Sequence, residues 1–195
     1  MALWTIDLAF ADIVSTSSDP RVGAIRMAWW RERLEELDEG KPSPAEPRLQ
    51  AVAERLVPRG VTGKELSQFE DAWLPLLDAF PWGQTAADGL ALRGRILFGI
   101  GSRLLGGKAE DGEAAGALWS LVDGAHHCSD AQSGELLRAQ ARAALAAIDK
   151  PMLRRLRPLT ILAALAAADV VRESSGLKRL SVAVRHRLLG TLPQS

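Results

Sequence analysis

Apolar residues recur at three- and four-residue intervals along most of this chain, and the strict alternation that marks a strand is almost absent. The expected class is therefore all-α. A first helix is predicted from about Ala2 to Val14, ending in the polar run Ser15-Thr16-Ser17-Ser18. A second begins with Asp19 as N-cap and Pro20 at the first helical position, carries the apolar stripe Val22, Ile25, Trp29, Leu34 and Leu37, and stops near Gly40. Lys41-Pro42-Ser43-Pro44 reads as a loop. A third helix spans about Pro47 to Val57 and is closed by Pro58-Arg59-Gly60.

A fourth helix is predicted from about Thr62 to Ala79, with Thr62 and Glu65 forming a capping box and Pro75 kinking or shortening it. Pro81-Trp82-Gly83 is a turn. The fifth helix covers about Thr85 to Leu105 and stops at Gly106-Gly107; the sixth covers about Asp111 to Cys128 and the seventh about Ser133 to Ile148. An eighth runs from about Met152 to Glu173, in one or two pieces because Pro158 lies inside it, and a terminal helix covers about Leu177 to Leu189. Only the final few residues read as disordered. Gly94, Gly99 and Gly101 interrupt the fifth helix, where close helix–helix approach is favoured over a cavity or a bend beside a ligand.

Composition narrows the function. With 24 basic and 24 acidic residues, the net charge is zero, so binding to nucleic acid through bulk charge is not expected. The 195 residues suit one domain, 1–195. A single cysteine, Cys128, rules out an internal disulfide and points to a reducing cytoplasm. The start of the chain lacks the pattern of a signal peptide, and the longest apolar run, Ile161–Ala168, falls short of the roughly 20 residues that span a bilayer. A cytoplasmic protein, with room for peripheral contact at an inner membrane, is the expectation. The basic groups Arg154-Arg155-Leu156-Arg157 and Arg185-His186-Arg187 are candidates for that contact, or are simply solvated.

Candidate chemistry concentrates in three places. On the second helix Arg26, Trp30 and Arg33 follow four- and three-residue steps, so one face combines guanidinium groups with an indole. Such a face suits a diphosphate or phospholipid headgroup; the favoured reading makes Trp29 and Trp30 core anchors and the arginines ion-pair partners, with Arg26 bordering the interior. Arg93-Gly94-Arg95 brings two arginines beside a glycine, open to close approach by an anion or to solvent. Asp123, His127 and Asp130 share spacings that place them on one helical face, a weak candidate for an altered metal site; partly exposed polar residues are the favoured reading. A nucleophilic role for Cys128 is disfavoured, since nothing near it reads as a triad.

The run Ile25-Arg26-Met27-Ala28-Trp29-Trp30-Arg31 resembles the tryptophan–arginine helix of the squalene/phytoene synthase family, all-helical enzymes that join two prenyl diphosphates. The likeness covers nearly the whole chain. The opening, Ala2-Leu3-Trp4-Thr5-Ile6-Asp7-Leu8-Ala9-Phe10-Ala11-Asp12-Ile13-Val14-Ser15, aligns with the family's first acidic motif, but Ala11 and Ser15 stand where its metal-holding aspartates belong and Asp12 alone survives between them. Asp7 projects about 140° away from Asp12 around the helix and is a poor substitute. Gly116 to Asp130 is similar to the second motif, with His126-His127 where Arg-Asp is expected.

The resemblance implies an isoprenoid-synthase bundle and a branch similar to a mitochondrial complex I assembly factor. Family chemistry ionises an allylic diphosphate with magnesium held by facing carboxylates. With that set broken, the leading expectation is a degenerate, pseudoenzyme-like member that binds an isoprenoid or lipid or serves as an assembly partner. Its ligand candidates are Arg26, Trp30, Arg33, Arg93 and Asp12, with no catalytic residue and no cofactor. Two alternatives stay open. One is an active prenyltransferase drawing magnesium ligands from Asp71, Asp78, Asp123 and Asp130; the other is a purely structural helical interaction protein.

Overall fold

A computed structural model describes residues 2–171 and 176–193. It is all-helical, with no strand among the described residues. The backbone divides into two compact units, up to Ala79 and from Phe80 onward.

The first unit contains α1 (Ala2–Thr16), α2 (Pro20–Asp38), α3 (Pro47–Arg55), α4 (Gly63–Ser67) and α5 (Phe69–Trp73). Local signals set most of these limits. Asp19 accepts a hydrogen bond from the Arg21 amide at 2.8 Å and Pro20 opens α2. Glu46, not anticipated as a cap, accepts from the Leu49 amide at 2.8 Å. Thr62 and Glu65 form the expected capping box. The expected helix from Thr62 to Ala79 is instead broken into α4, α5 and a 3₁₀ turn, Leu74–Leu77, that holds Pro75. One reason lies at its start: Asp38 accepts from the amides of Gly63 and Lys64 at 2.7 and 2.9 Å, and a Cβ on Gly63 would stand 1.8 Å from the Leu34 carbonyl oxygen. The chain is thereby pinned against α2.

Phe10, Phe69 and Trp30 form the centre of this unit, with ring centroids 6.0 Å apart for Phe10–Phe69 and 6.4 Å for Phe10–Trp30. Ile6, Ile13, Met27, Leu34, Leu49 and Leu66 complete it. The inward stripe of α2 is Gly23, Met27, Trp30, Leu34 and Leu37. The expected stripe is corrected at three positions: Val22, Ile25 and Trp29 are exposed, at 51, 71 and 41%. The observed set keeps a four-three-four-three rhythm, whereas the expected one required a five-residue step that swings about 140° off the face.

The second unit contains α6 (Gln84–Leu104), α7 (Glu110–His127), α8 (Ala131–Ala146), α9 (Arg157–Val171) and α10 (Gly176–Leu189). It begins with a turn holding a cis Phe80–Pro81 peptide, and the Trp82 amide donates to Ser133 Oγ at 2.7 Å. α6 and α7 form an antiparallel hairpin whose first arm ends at Gly106, in the left-handed region at φ 79°. The hairpin is tight: a Cβ on Gly94 would lie 2.0 Å from the Gly116 carbonyl oxygen, and one on Gly116 would lie 2.1 Å from that of Gly94. Gly94 serves close backbone approach at this crossing, the reading favoured from sequence, whereas Gly99 and Gly101 face the side chains of Glu113 and Leu159. Pro158 sits in the first turn of α9, after a separate 3₁₀ turn at Arg154–Leu156, so the expected eighth helix is two pieces. Its extension to Glu173 and the expected disorder of the final residues fall outside the described residues.

α10 is fastened to α9 and to the segment before it. Arg157 donates to the carbonyls of Arg187 and Leu188 at 3.1 and 2.6 Å, satisfying the free end of α10. His186 is fully buried: its Nδ1 lies 3.1 Å from the Thr191 carbonyl and its Nε2 lies 2.9 Å from the Thr160 hydroxyl. A carbonyl only accepts, so in the neutral ring Nδ1 carries the proton and Nε2 accepts from Thr160. Burial, reinforced by the nearby Arg157 charge, holds this imidazole below the ordinary histidine range, while the bond to Thr191 opposes the shift. The unfolded chain then takes up a proton that the folded chain refuses. Stability is accordingly expected to fall as pH drops below about 6.5 toward the lowered folded value, and to be flat above it. Melting curves of the protein and of His186→Gln between pH 8 and 5 check this: the variant, though less stable overall, loses this part of the acid sensitivity.

Candidate functional site

In the first unit, the residues aligned with the acidic motif lie along α1. Asp7 is buried and accepts a hydrogen bond from Trp73 Nε1 at 3.1 Å. Asp12 points elsewhere: its side chain is more than half exposed and Oδ2 meets Arg48 at 3.0 Å. The Ser15 and Thr16 hydroxyls bond back to the Asp12 carbonyl at 3.2 and 2.5 Å, a local helix-end arrangement. Ala11 offers no ligand atom. One carboxylate oxygen already engaged by a guanidinium is a weak start for a divalent-metal site, which needs several converging oxygens.

The arginine–tryptophan face of α2 does not form as expected. Arg26 is exposed and donates to Thr16 and Ser17 hydroxyls at 3.1 and 3.2 Å, fastening the turn between α1 and α2. Trp30 turns inward to Phe10, with Trp29 edge-on at 5.4 Å. Arg33 pairs with Glu36 at 2.9 Å, and Arg31 reaches Glu70 at 3.3 Å. Adjacent residues lie about 100° apart on a helix, so the two tryptophans point in well-separated directions. The structure spends Trp30 on the core and leaves Trp29 at the surface.

A buried polar cluster lies in the second unit, between α6 and α7. Arg93 is buried, at 6% exposure, and donates to Asp123 Oδ2 at 2.7 Å. Its guanidinium carbon sits 4.7 Å from the ring centroid of Trp119, which stacks on Phe98 at 5.6 Å. Ser120 lies 3.4 Å from the same guanidinium nitrogen. The expected choice between an anion-facing and a solvated Arg93 therefore resolves into neither: its charge is matched by a carboxylate from the neighbouring helix. Arg95, two residues on, is exposed.

No family model, curated protein or solved structure matches the chain. Its chemistry has to be read from these contacts.

The Asp123, His127 and Asp130 trio is not gathered into one site. α7 ends at His127, so Asp130 lies beyond it and caps α8, accepting from the Ser133 amide and hydroxyl at 2.7 and 2.6 Å. Those two bonds hold its carboxyl below the ordinary aspartate range. His127 Nδ1 donates to the Asp123 backbone carbonyl at 2.8 Å and lies 3.6 Å from Asp123 Oδ1, while Asp123 Oδ2 accepts from Arg93 at 2.7 Å. Cys128 Sγ points to the Asp130 carbonyl at 3.4 Å. Among the described residues, no group of three or more His, Cys, Asp or Glu side chains is placed to hold a metal ion. Of the further acidic candidates, Asp71 is exposed in the first turn of α5 and Asp78 follows the Leu74–Leu77 turn.

Sequence reasoning named Arg93 and Asp123 separately and missed their pairing. The register that sets Gly94 against Gly116 puts Arg93 opposite Ala117, and its long side chain, leaning toward the start of α6, reaches on to Trp119 and Asp123.

Proposed function

We propose that this chain is a non-catalytic helical protein on an isoprenoid-synthase type of scaffold, related in plan to the squalene/phytoene synthases, that binds an isoprenoid or lipid or serves as an assembly partner. The observation that carries this reading is the fate of the acidic residues in the two motif-like segments. Asp12 is tied to Arg48, Asp123 to Arg93 and Asp130 to the start of α8, and Asp7 is buried against Trp73. Departure of pyrophosphate needs divalent cations to neutralise the developing charge. Here each of these carboxylates already has a partner within the protein, and Ala11 and Ser15 supply none in their place.

The test is incubation with farnesyl or geranylgeranyl diphosphate and Mg²⁺, following released pyrophosphate. The expected result is release no faster than in a protein-free control. Turnover above about 0.1 s⁻¹, within a decade of the usual lower range for enzymes, overturns the proposal and restores the prenyltransferase alternative.

A further inference from the structure

We propose that α10 docks the protein onto an anionic bilayer, lying in the plane of the interface. The inference uses the second unit alone and stands apart from the reading of the acidic motifs. Five of the six Leu and Val side chains of α10 are exposed, Leu177, Leu180, Val184, Leu188 and Leu189 at 83, 62, 51, 69 and 56%, and the sixth, Val182, is half-buried. At about 100° per residue, Leu177, Leu180, Val184 and Leu188 fall within an arc of roughly 80°. The side packed on the protein is opposite and is the more polar of the two: half-buried Val182 and Ala183 flank buried His186 and Arg179, which pairs with Asp169 at 2.7 Å. Such an inside-out arrangement leaves an apolar face that water does not favour.

Charge identifies the occupant. α10 carries Lys178, Arg179, Arg185 and Arg187 and no Asp or Glu, in a chain of zero net charge. Around the helix Arg187 borders the apolar arc on one side, and Arg185 and Lys178 border it on the other. That is the pattern of a helix lying at a membrane surface, with apolar side chains among the acyl chains and cations level with anionic headgroups. The surface continues past the end of the helix. Met152 donates to the Gly190 carbonyl at 2.7 Å, which brings exposed Leu153, Arg154 and Arg155 alongside Arg187 and Leu188. A second copy of the chain fits this surface poorly, because a self-complementary pairing of α10 sets arginine against arginine with no carboxylate from either helix between them. No described helix is long and apolar enough to cross a membrane, so the contact would be peripheral.

Co-sedimentation with vesicles of phosphatidylcholine, with and without 30% phosphatidylglycerol, tests the proposal. The full chain is expected to partition at least tenfold more strongly onto the anionic vesicles, and to be released as salt rises from about 0.1 to 0.5 M. Leu180→Ser/Val184→Ser/Leu188→Ser and Lys178→Glu/Arg185→Glu/Arg187→Glu should each lower that partitioning at least tenfold. All six positions are exposed, and unchanged circular dichroism verifies that the fold survives. A Cys128→Ser/Leu188→Cys protein carrying an environment-sensitive dye at position 188 should shift to the blue and brighten on anionic vesicles only. The proposal is overturned by equal binding of parent and variants, by no partitioning onto anionic vesicles, or by a dye signal that follows protein concentration without lipid, which would assign the face to a second copy.

Discussion

Gly94→Ala should lower the melting temperature by roughly 5–10 °C, while Gly99→Ala on the same helix should leave it unchanged or slightly raised. Both substitutions replace glycine in the interior of α6, and both gain up to about 1 kcal/mol of helix propensity. What differs is the obstacle. The new methyl at position 94 meets the backbone of Gly116 at 2.0 Å, and a backbone carbonyl inside a helix cannot step aside without moving the helix. Separating α6 from α7 would also loosen Phe98 from Trp119 and Arg93 from Asp123. Overpacking of this kind costs about 1–3 kcal/mol and sometimes more, which outweighs the propensity gain. At position 99 the nearest atom is the Glu113 carboxylate oxygen at 3.3 Å, the mobile end of a side chain. Thermal melts of the two variants, measured side by side, check the contrast. Equal effects would mean that backbone approach does not limit this crossing.

The second large effect is expected at the ion pair. Asp123→Ala should destabilise the protein by about 2–4 kcal/mol, because it removes the carboxylate to which a buried guanidinium donates at 2.7 Å. Arg93→Met should cost less, about 1–2 kcal/mol, since the Asp123 side chain is 27% exposed and water can solvate the carboxylate left behind. The double variant should then be more stable than Asp123→Ala alone, the sign that the cost lies in the buried guanidinium and not in a lost contact. Urea unfolding of all four proteins closes this cycle. If Asp123→Ala and Arg93→Met cost the same and their effects add, the pair contributes no coupling and the buried charge is being compensated elsewhere.

Much of the architecture was readable because local chemistry marks helix ends. Asp19 with Pro20, Thr62 with Glu65, and Gly106 each named a boundary that the structure keeps. Where several signals competed, local reading failed. The stretch after Thr62 shows helical periodicity, yet Asp38 and the close approach of Gly63 to Leu34 anchor its start from another helix. The α2 face depended on which of two adjacent tryptophans meets Phe10, a contact made across the unit and absent from the local sequence. Its phase was nevertheless recoverable by counting Gly23 as an interior position.

The candidate site shows the same division. That Asp7 and Asp12 diverge follows from helix geometry, and the structure places one inside and one outside. That Asp130 caps α8 and is no neighbour of Asp123 could not be read without the break after His127. The outward face of α10 is a third case. Periodicity announces an amphipathic helix, but only its fastening through His186 and Arg157 decides which face is covered.

The central claim is that the acidic side chains of the two motif-like segments are structural and do not assemble a multi-metal site. Manganese electron paramagnetic resonance in the presence of inorganic pyrophosphate addresses it without relying on turnover. The account predicts that adding the protein leaves the spectrum of the Mn²⁺–pyrophosphate mixture unchanged up to millimolar concentrations. Tight uptake of two or more Mn²⁺ per chain, lost on replacing Asp12 or Asp123 by asparagine, would contradict it.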